Sequence, residues 1–240
     1  MNSFFKYTHS KYINAMLNNG QIRIGTLYEY REYENLEIGD VDEGYVKLFT
    51  HVDDLVVKDG DKLPGAFNHD LSDSLPTGTP AEYRYPFNVS GGGSMHLQNV
   101  TVVIKSTLPD VYMYCLTTEP SEQKMKEFGY DTCIEVLDIN NFVSSIAIEL
   151  QKQGYGNGMA TGNPCVYVKK EYDYENPRQL THFMKEDNYS DQKEFRLIFY
   201  PSDFPTIGKP ADYQEIRPDI SPVIINVPDI ANNIRLYDFN

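Results

Sequence analysis

The sequence predicts an α+β fold, built from many short strands and two clear helices. Short β-prone runs recur along the chain between Gly, Asn, Asp and Pro, the residues that end strands and make turns. Tyrosine and phenylalanine are abundant, at 19 and 12 residues, and aromatic side chains suit a pleated, half-buried surface. Helical spacing of apolar residues is clear in two places only, after residues 10 and 138.

Taken in order, residues 4–7 read as a first strand. Thr8 or Ser10 can cap a helix starting at Lys11, because a short side-chain oxygen accepts from a free backbone N–H. Tyr12, Ile13, Met16 and Leu17 have helical spacing, and Gly20 is a stop signal. Ile22, Ile24 and Leu27 mark a second strand over 21–27. The aromatic and charged run 28–34 reads as a turn or short helix, and the acidic turn 39–44 as a plain loop, since it lacks the ligand order and closing Glu of a calcium loop. Residues 46–60 look like a hairpin. Residues 61–95, rich in Pro, Gly, Ser and Asp, read as a long mobile insertion ending in Gly91-Gly92-Gly93-Ser94, a linker with no phosphate-loop Lys after it.

Further strands are expected at 100–105, 111–116, 132–137, 166–169, 195–200, 223–227 and 234–237. Asp138 can cap a second helix that places Phe142, Ile146 and Leu150 on one face and closes at Gly154. No repeat and no compositional break divides the 240 residues, so a single domain carrying the insertion is expected.

Composition excludes several functions. A net charge of −14 with no Lys/Arg cluster argues against broad, nonspecific nucleic-acid binding. The three cysteines stand singly, and the five histidines form no ligand pattern, so neither a disulfide framework nor a metal is expected. No apolar run is long enough to span a bilayer and the N-terminus lacks a signal-peptide layout, so a cytoplasmic protein without a membrane partner is expected.

The segment with most chemical content is Gln192-Lys193-Glu194-Phe195-Arg196-Leu197-Ile198-Phe199. As a strand, its period of two puts Gln192, Glu194 and Arg196 on one face. The plain reading is a solvated edge face, with Arg196 pairing Glu194 structurally. The functional reading is a carboxylate and a carboxamide offered to the hydroxyls of a ligand.

The opening Phe4-Phe5-Lys6-Tyr7-Thr8-His9, followed by Ile13, Met16-Leu17 and Gly20, resembles the first strand, helix and turn of ADP-ribosyltransferase-like domains. Gln192-x-Glu194 resembles the Q-x-E motif of that superfamily. Gly25-Thr26-Leu27-Tyr28-Glu29-Tyr30-Arg31, Tyr114-Cys115-Leu116-Thr117-Thr118 and Tyr189-Ser190-Asp191-Gln192-Lys193-Glu194-Phe195-Arg196-Leu197 resemble a bacterial branch of toxin or phage-defence type. The resemblance covers about residues 4–34 and 110–200. The superfamily's usual first-strand His or Arg falls on Lys6, and its S-T-S segment on Leu116-Thr117-Thr118.

The resemblance implies a split sheet of short, mainly antiparallel strands, and NAD as substrate. It implies that Glu194 and Gln192 are catalytic. Cleavage of the nicotinamide–ribose bond has oxocarbenium character, so a carboxylate on the ribose 2′-hydroxyl stabilises the transition state more than the substrate. Gln192 would orient the acceptor. Lys6, Arg23 and Arg31 would bind the pyrophosphate, Tyr7 or Tyr28 would stack on nicotinamide, and Thr8 and Thr26 complete the expected NAD-binding set. The acceptor, a protein or a nucleic acid, does not follow from the motif. A proteinaceous inhibitor or antitoxin is a further implied partner. A catalytically silent binding module of the same fold, or an NAD glycohydrolase with water as acceptor, stays open.

Overall fold

The computed structural model describes residues 3–32, 40, 42–68, 91–176, 181–204 and 220–239. The elements are β1 (Phe4–Thr8), α1 (Ser10–Asn19), β2 (Gln21–Thr26), β3 (Tyr45–Lys58), β4 (Ser94–Thr107), β5 (Tyr112–Thr117), α2 (Glu122–Glu127), β6 (Thr132–Val136), α3 (Ile139–Lys152), β7 (Gly156–Pro164), β8 (Val166–Tyr167), β9 (Glu171–Asp173), β10 (Met184–Lys185), β11 (Glu194–Pro201), β12 (Val223–Asn226), α4 (Pro228–Ala231) and β13 (Ile234–Tyr237). The fold is mixed α+β, with mostly antiparallel strands and few helices.

β5 is the hub of the main sheet. Its residues are buried in succession, all but Cys115 fully, so it is covered on both faces. β11 pairs along one edge, from Glu194 opposite Thr117 to Phe199 opposite Tyr112, and β7 lies beyond it. The other edge is shared. β2 pairs at Met113 and Tyr112, whereas β1 pairs at Thr117. β2 carries β12, and β1 carries β6 and then β13, all antiparallel. The sheet therefore opens between these two leaves, over the middle of β5.

One face of this sheet is closed by α1 and α3. Phe142, Ile146 and Leu150, spaced at helical intervals, are buried against Ile22, Tyr114, Leu197 and Phe199. Asp138 caps α3 by accepting from Asn140 and Asn141 N–H at 3.0 and 3.1 Å. Gly20 ends α1 at φ 61°, and a Cβ there would lie 1.9 Å from the Val227 carbonyl oxygen. Both the left-handed backbone and the close approach require glycine.

Several expectations are corrected. α1 begins at Ser10, and no side chain of its own N-terminus caps it. Asp131 does so from the end of a distant loop, accepting from Ser10 N–H at 2.6 Å and Ser10 Oγ–H at 2.8 Å. Residues 46–60 are not a hairpin. Residues 46–58 belong to one long strand, β3, whose partner β4 comes after the insertion. Asp53 and Asp54, near the middle of β3, are exposed within the strand. β9 adds to β3 in parallel, making a second sheet.

The insertion is also not free of core. Leu63 and Phe67 at its start pack with Val57 and Leu97, and Ala66 and Phe67 are fully buried. Residues 69–90 of that expected insertion lie outside the described residues. β7, with Gly156, Gly158 and Gly162, was not expected as a strand. Pairing with β11 overrides its poor propensity, and Gly162 lets Phe195 and Leu197 approach closely.

Candidate active site

The opening in the sheet forms a cleft of two adjoining compartments. The inner one holds about 610 Å³ counted out to its mouth, and Lys6, Tyr7, Lys185, Gln192 and Glu194 line it. The outer one holds about 1340 Å³ on the same count, with Lys6, Thr8, His9 and Arg23 in its wall. Lys6, Tyr7, Tyr30 and Tyr130 border both. Lys6 sits over the Tyr114 ring at 4.9 Å, at the floor of the parting.

Gln192 and Glu194 reach the cleft by a route that differs from strand parity. A 3-10 turn, Asp187–Gln192, ends at Gln192, and β11 starts only at Glu194. Between them Lys193 takes a left-handed conformation with φ 47°. Both side chains then meet one ammonium: Lys185 Nζ donates to Gln192 Oε1 and to Glu194 Oε2, each at 2.7 Å. Thr117 Oγ donates to the Gln192 carbonyl at 3.0 Å, tying the turn to β5. Lys185 is brought here by the short parallel pair β8–β10. Tyr167, opposite it, accepts the Glu194 N–H at 2.7 Å.

Arg196 is fully buried and completes a network of two cations and two carboxylates. Its Nε donates to Glu194 Oε1 at 2.7 Å, and Nη1 and Nη2 donate to the two Glu43 oxygens at 2.8 Å each. Nη1 also donates to the His182 carbonyl. Burial alone pushes the Glu194 carboxyl up, but Arg196 and Lys185 overcome it and hold it well below the usual carboxylate range. Glu43 behaves likewise, burial being outweighed by Arg196. Glu194 is therefore a fixed anion with two acceptor positions taken and others left, since a carboxylate offers about four.

The acidic turn, expected to be a plain loop, delivers Glu43 to this network. It is folded by buried contacts: Asp40 pairs with the buried Lys170 at 3.1 Å, and the same ammonium donates to the Asp42 carbonyl at 2.7 Å.

The expected NAD-binding residues divide into two groups. Lys6, Tyr7, Thr8 and Arg23 line the cleft, Arg23 with a salt bridge to Glu29. Tyr7 Oη accepts the Ser121 N–H at 2.7 Å, which fixes its ring. Thr26, Tyr28 and Arg31 line neither compartment. Thr26 is buried, its Oγ accepting the Glu29 N–H. Tyr28 donates to the Leu108 carbonyl at 2.8 Å. The Arg31 guanidinium is stacked between Tyr28 and Tyr45, 3.7 and 3.8 Å from their ring centres, and its Nε donates to the Glu43 carbonyl at 2.6 Å. Of these three, Arg31 holds the Glu43 backbone, and Tyr28 stacks on Arg31.

Lys185, Glu43 and Tyr30 were not found from sequence as site residues. For Arg196 the shared parity with Glu194 was the available signal; for Lys185 and Glu43 there was none, because they arrive from a two-residue strand and an acidic turn.

Of the three cysteines only Cys115 is among the described residues lining the cleft. Cys115 borders it, but burial, with Glu194 nearby, pushes its thiol up to about 12. Among the described residues no group of three or more His, Cys, Asp or Glu is placed to hold a metal ion, and no helix is long and apolar enough to cross a membrane. No protein-family model, curated protein or solved structure matches the chain.

Proposed function

We propose that the cleft binds NAD and that the protein transfers its ADP-ribose to a macromolecular acceptor. The observation that carries this reading is the two-part cleft itself. An ionised carboxylate and a carboxamide lie at its inner end, and the described residues lining its outer compartment include Lys6, His9 and Arg23, Arg23 being paired with Glu29, and no Asp or Glu. In a chain of net charge −14, a compartment with cations on its wall suits a diphosphate. The two compartments share Lys6, Tyr7, Tyr30 and Tyr130, so one extended ligand can run through both.

In this reaction the bond between ribose C1′ and the nicotinamide nitrogen breaks. Its electron pair stays with nicotinamide, which leaves neutral. Positive charge grows on the ribose, and Glu194, accepting from the 2′-hydroxyl, stabilises it most at the transition state. The acceptor nucleophile bonds to C1′ and loses its proton to solvent or to a neighbouring base. Gln192 orients that nucleophile. Lys6 and Arg23 hold the pyrophosphate and Tyr7 the nicotinamide ring. A toxin or anti-phage role in the cell follows as part of this proposal.

One observation favours a second reading. Both Glu194 oxygens already meet cations, which offsets the charge that a developing oxocarbenium needs. On that reading the cleft is a silent nucleotide-binding module. Incubation of the purified protein with NAD labelled in the adenylate part, with whole-cell lysate, separates the readings. Label in protein, RNA or DNA with stoichiometric nicotinamide supports the transferase, and free ADP-ribose alone indicates a glycohydrolase. Tight NAD binding without nicotinamide release leaves the silent module, and absence of binding sinks the proposal.

A further inference from the structure

The proposed chemistry leaves one part of the cleft unused. His9, Tyr12 and Tyr130 line the outer compartment as a group of rings. The His9 ring centre lies 5.1 Å from that of Tyr130 and 6.1 Å from that of Tyr12, with the planes inclined by 59° and 61°. Inclined rings make a concave corner, where a flat aromatic ligand stacks on one ring and meets another edge-on. Lys11 already covers Tyr12, its ammonium 4.9 Å from the ring centre, so the corner between His9 and Tyr130 is the better seat. Tyr12 and Ile224 line the same compartment although 51% and 67% exposed. Apolar surface left in water at the mouth of a cleft gains by being covered.

β1 measures how far this corner lies from Glu194. Phe5 is opposite Thr117, and Thr117 is opposite Glu194 on its other side. From Phe5 the chain stays extended through Thr8 to His9, which has φ −94° and ψ 138°. Four residues at about 3.3 Å each put His9 about 13 Å further along. Lys6 stands at the first step, in the walls of both compartments. Its ammonium meets the Tyr114 ring and, among the described residues, no carboxylate. The order along the cleft is therefore carboxylate, ammonium, aromatic corner. NAD offers the matching order of nicotinamide ribose, diphosphate and adenine.

We propose that His9 and Tyr130 form a nucleobase site, which holds the adenine of NAD while Lys6 holds the diphosphate, and so sets which way round the dinucleotide lies. This rests on the NAD-binding reading. It makes the outer compartment a site for ADP by itself. Nicotinamide mononucleotide lacks the adenine half, so it uses the inner compartment and leaves the corner empty.

The test titrates the purified chain with NAD, ADP, inorganic pyrophosphate and nicotinamide mononucleotide by calorimetry. The His9 ring is followed in spectra of ¹⁵N-histidine chains, its signal being assigned by its loss in His9→Phe. ADP is expected to shift that signal far more than pyrophosphate or nicotinamide mononucleotide does. His9→Ala is expected to weaken ADP about tenfold or more, the loss of one stacked base. His9→Phe keeps a ring and should retain most of the affinity. The His9 side chain makes no capping hydrogen bond to α1, so neither change removes a cap. Affinity for nicotinamide mononucleotide should be the same in all three chains.

Unchanged ADP affinity in His9→Ala, or no ADP binding by a wild type that binds NAD, overturns the base site and leaves the NAD reading standing. Nicotinamide mononucleotide weakened as much as ADP, or shifting the His9 signal as much, reverses the orientation and overturns the inference too. A wild type that binds ADP but not NAD sinks the NAD reading alone, and the His9 comparison then decides the base site. A wild type that binds neither overturns both. Should His9→Ala not fold, the wild-type spectra decide. A His9 signal that ADP moves and pyrophosphate does not supports the site; one that both move alike, or that ADP leaves in place, overturns it.

Discussion

Arg196 and Glu43, 153 residues apart in the chain, meet in the core through two parallel hydrogen bonds of 2.8 Å. The pair joins the acidic turn to the start of β11, and Arg196 reaches Glu194 with its remaining edge. The cleft's carboxylate is thus held by a chain of contacts that begins at the acidic turn.

Glu43→Gln is expected to destabilise the protein strongly. Arg196 and Glu43 are both fully buried, and removing one partner leaves the other charge uncompensated, at about 3–5 kcal/mol. Urea unfolding followed by circular dichroism measures this. The double variant Glu43→Gln/Arg196→Met should lose less than the sum of the singles, because it removes both charges together. Additive losses would show that the two residues do not share one interaction.

Glu194→Gln is expected to cut nicotinamide release by about 10²–10³-fold, the usual effect of removing one preorganised electrostatic contact. The amide also leaves Lys185 and Arg196 with one anion fewer in a buried network. Stability should also fall, so release is compared at equal folded fraction, below the unfolding transition. Unchanged release by the folded variant removes Glu194 from the mechanism.

What was legible in the sequence had local causes. The parity of Glu194 and Arg196 within β11 was readable, and the two do pair at 2.7 Å. The Asp138 cap and the Gly20 stop were readable because each is satisfied within a few residues. Lys185 and Glu43 were not readable. An acidic turn looks like a solvated loop until a distant Arg196 is known to meet it, and nothing near Lys185 marks it as buried. Gln192 stands beside Glu194 in the cleft, but not through the continuous strand that the sequence pattern implied: a left-handed Lys193 aligns its side chain. β7 was hidden because its glycines serve packing against Phe195 and Leu197, not strand propensity.

Asp110 gives a prediction with a defined pH window. It accepts from the Tyr28 and Val111 N–H groups through Oδ1, both at 3.0 Å, while Oδ2 is buried without a hydrogen bond. Burial pushes its carboxyl up to about 6, against the pull of those N–H groups. The folded state therefore binds this proton more tightly than the unfolded state. Stability is full below about pH 4 and declines as pH rises through about 6, a difference of about 3 kcal/mol at most. Asp110→Asn keeps the Oδ1 acceptor and removes the charge. It should stabilise the protein at pH 7 and change little at pH 4, measured as unfolding free energy at both values. Equal effects at the two pH values would show that Asp110 titrates normally.

Lys193 provides the last prediction. It is one of two described non-glycine residues with positive φ, and a side chain in that region costs about 1–2 kcal/mol. Its own side chain is exposed, so replacement by glycine sacrifices no packing. The turn is held from outside instead: the Lys193 carbonyl accepts from Thr118 N–H at 3.0 Å, and Thr117 holds the Gln192 carbonyl. Lys193→Gly should leave stability within about 1 kcal/mol of wild type, relief of strain being offset by a freer unfolded chain. Lys193→Val should be less stable than Lys193→Gly by about 1–2 kcal/mol, because a β-branched residue is least tolerant of this conformation. It should also slow nicotinamide release, since a relaxed turn separates Gln192 from Glu194 and both from Lys185. Chemical denaturation and a release assay on the same samples give the two readings. A valine variant as stable and as active as the glycine variant would mean that the left-handed turn does not align the pair.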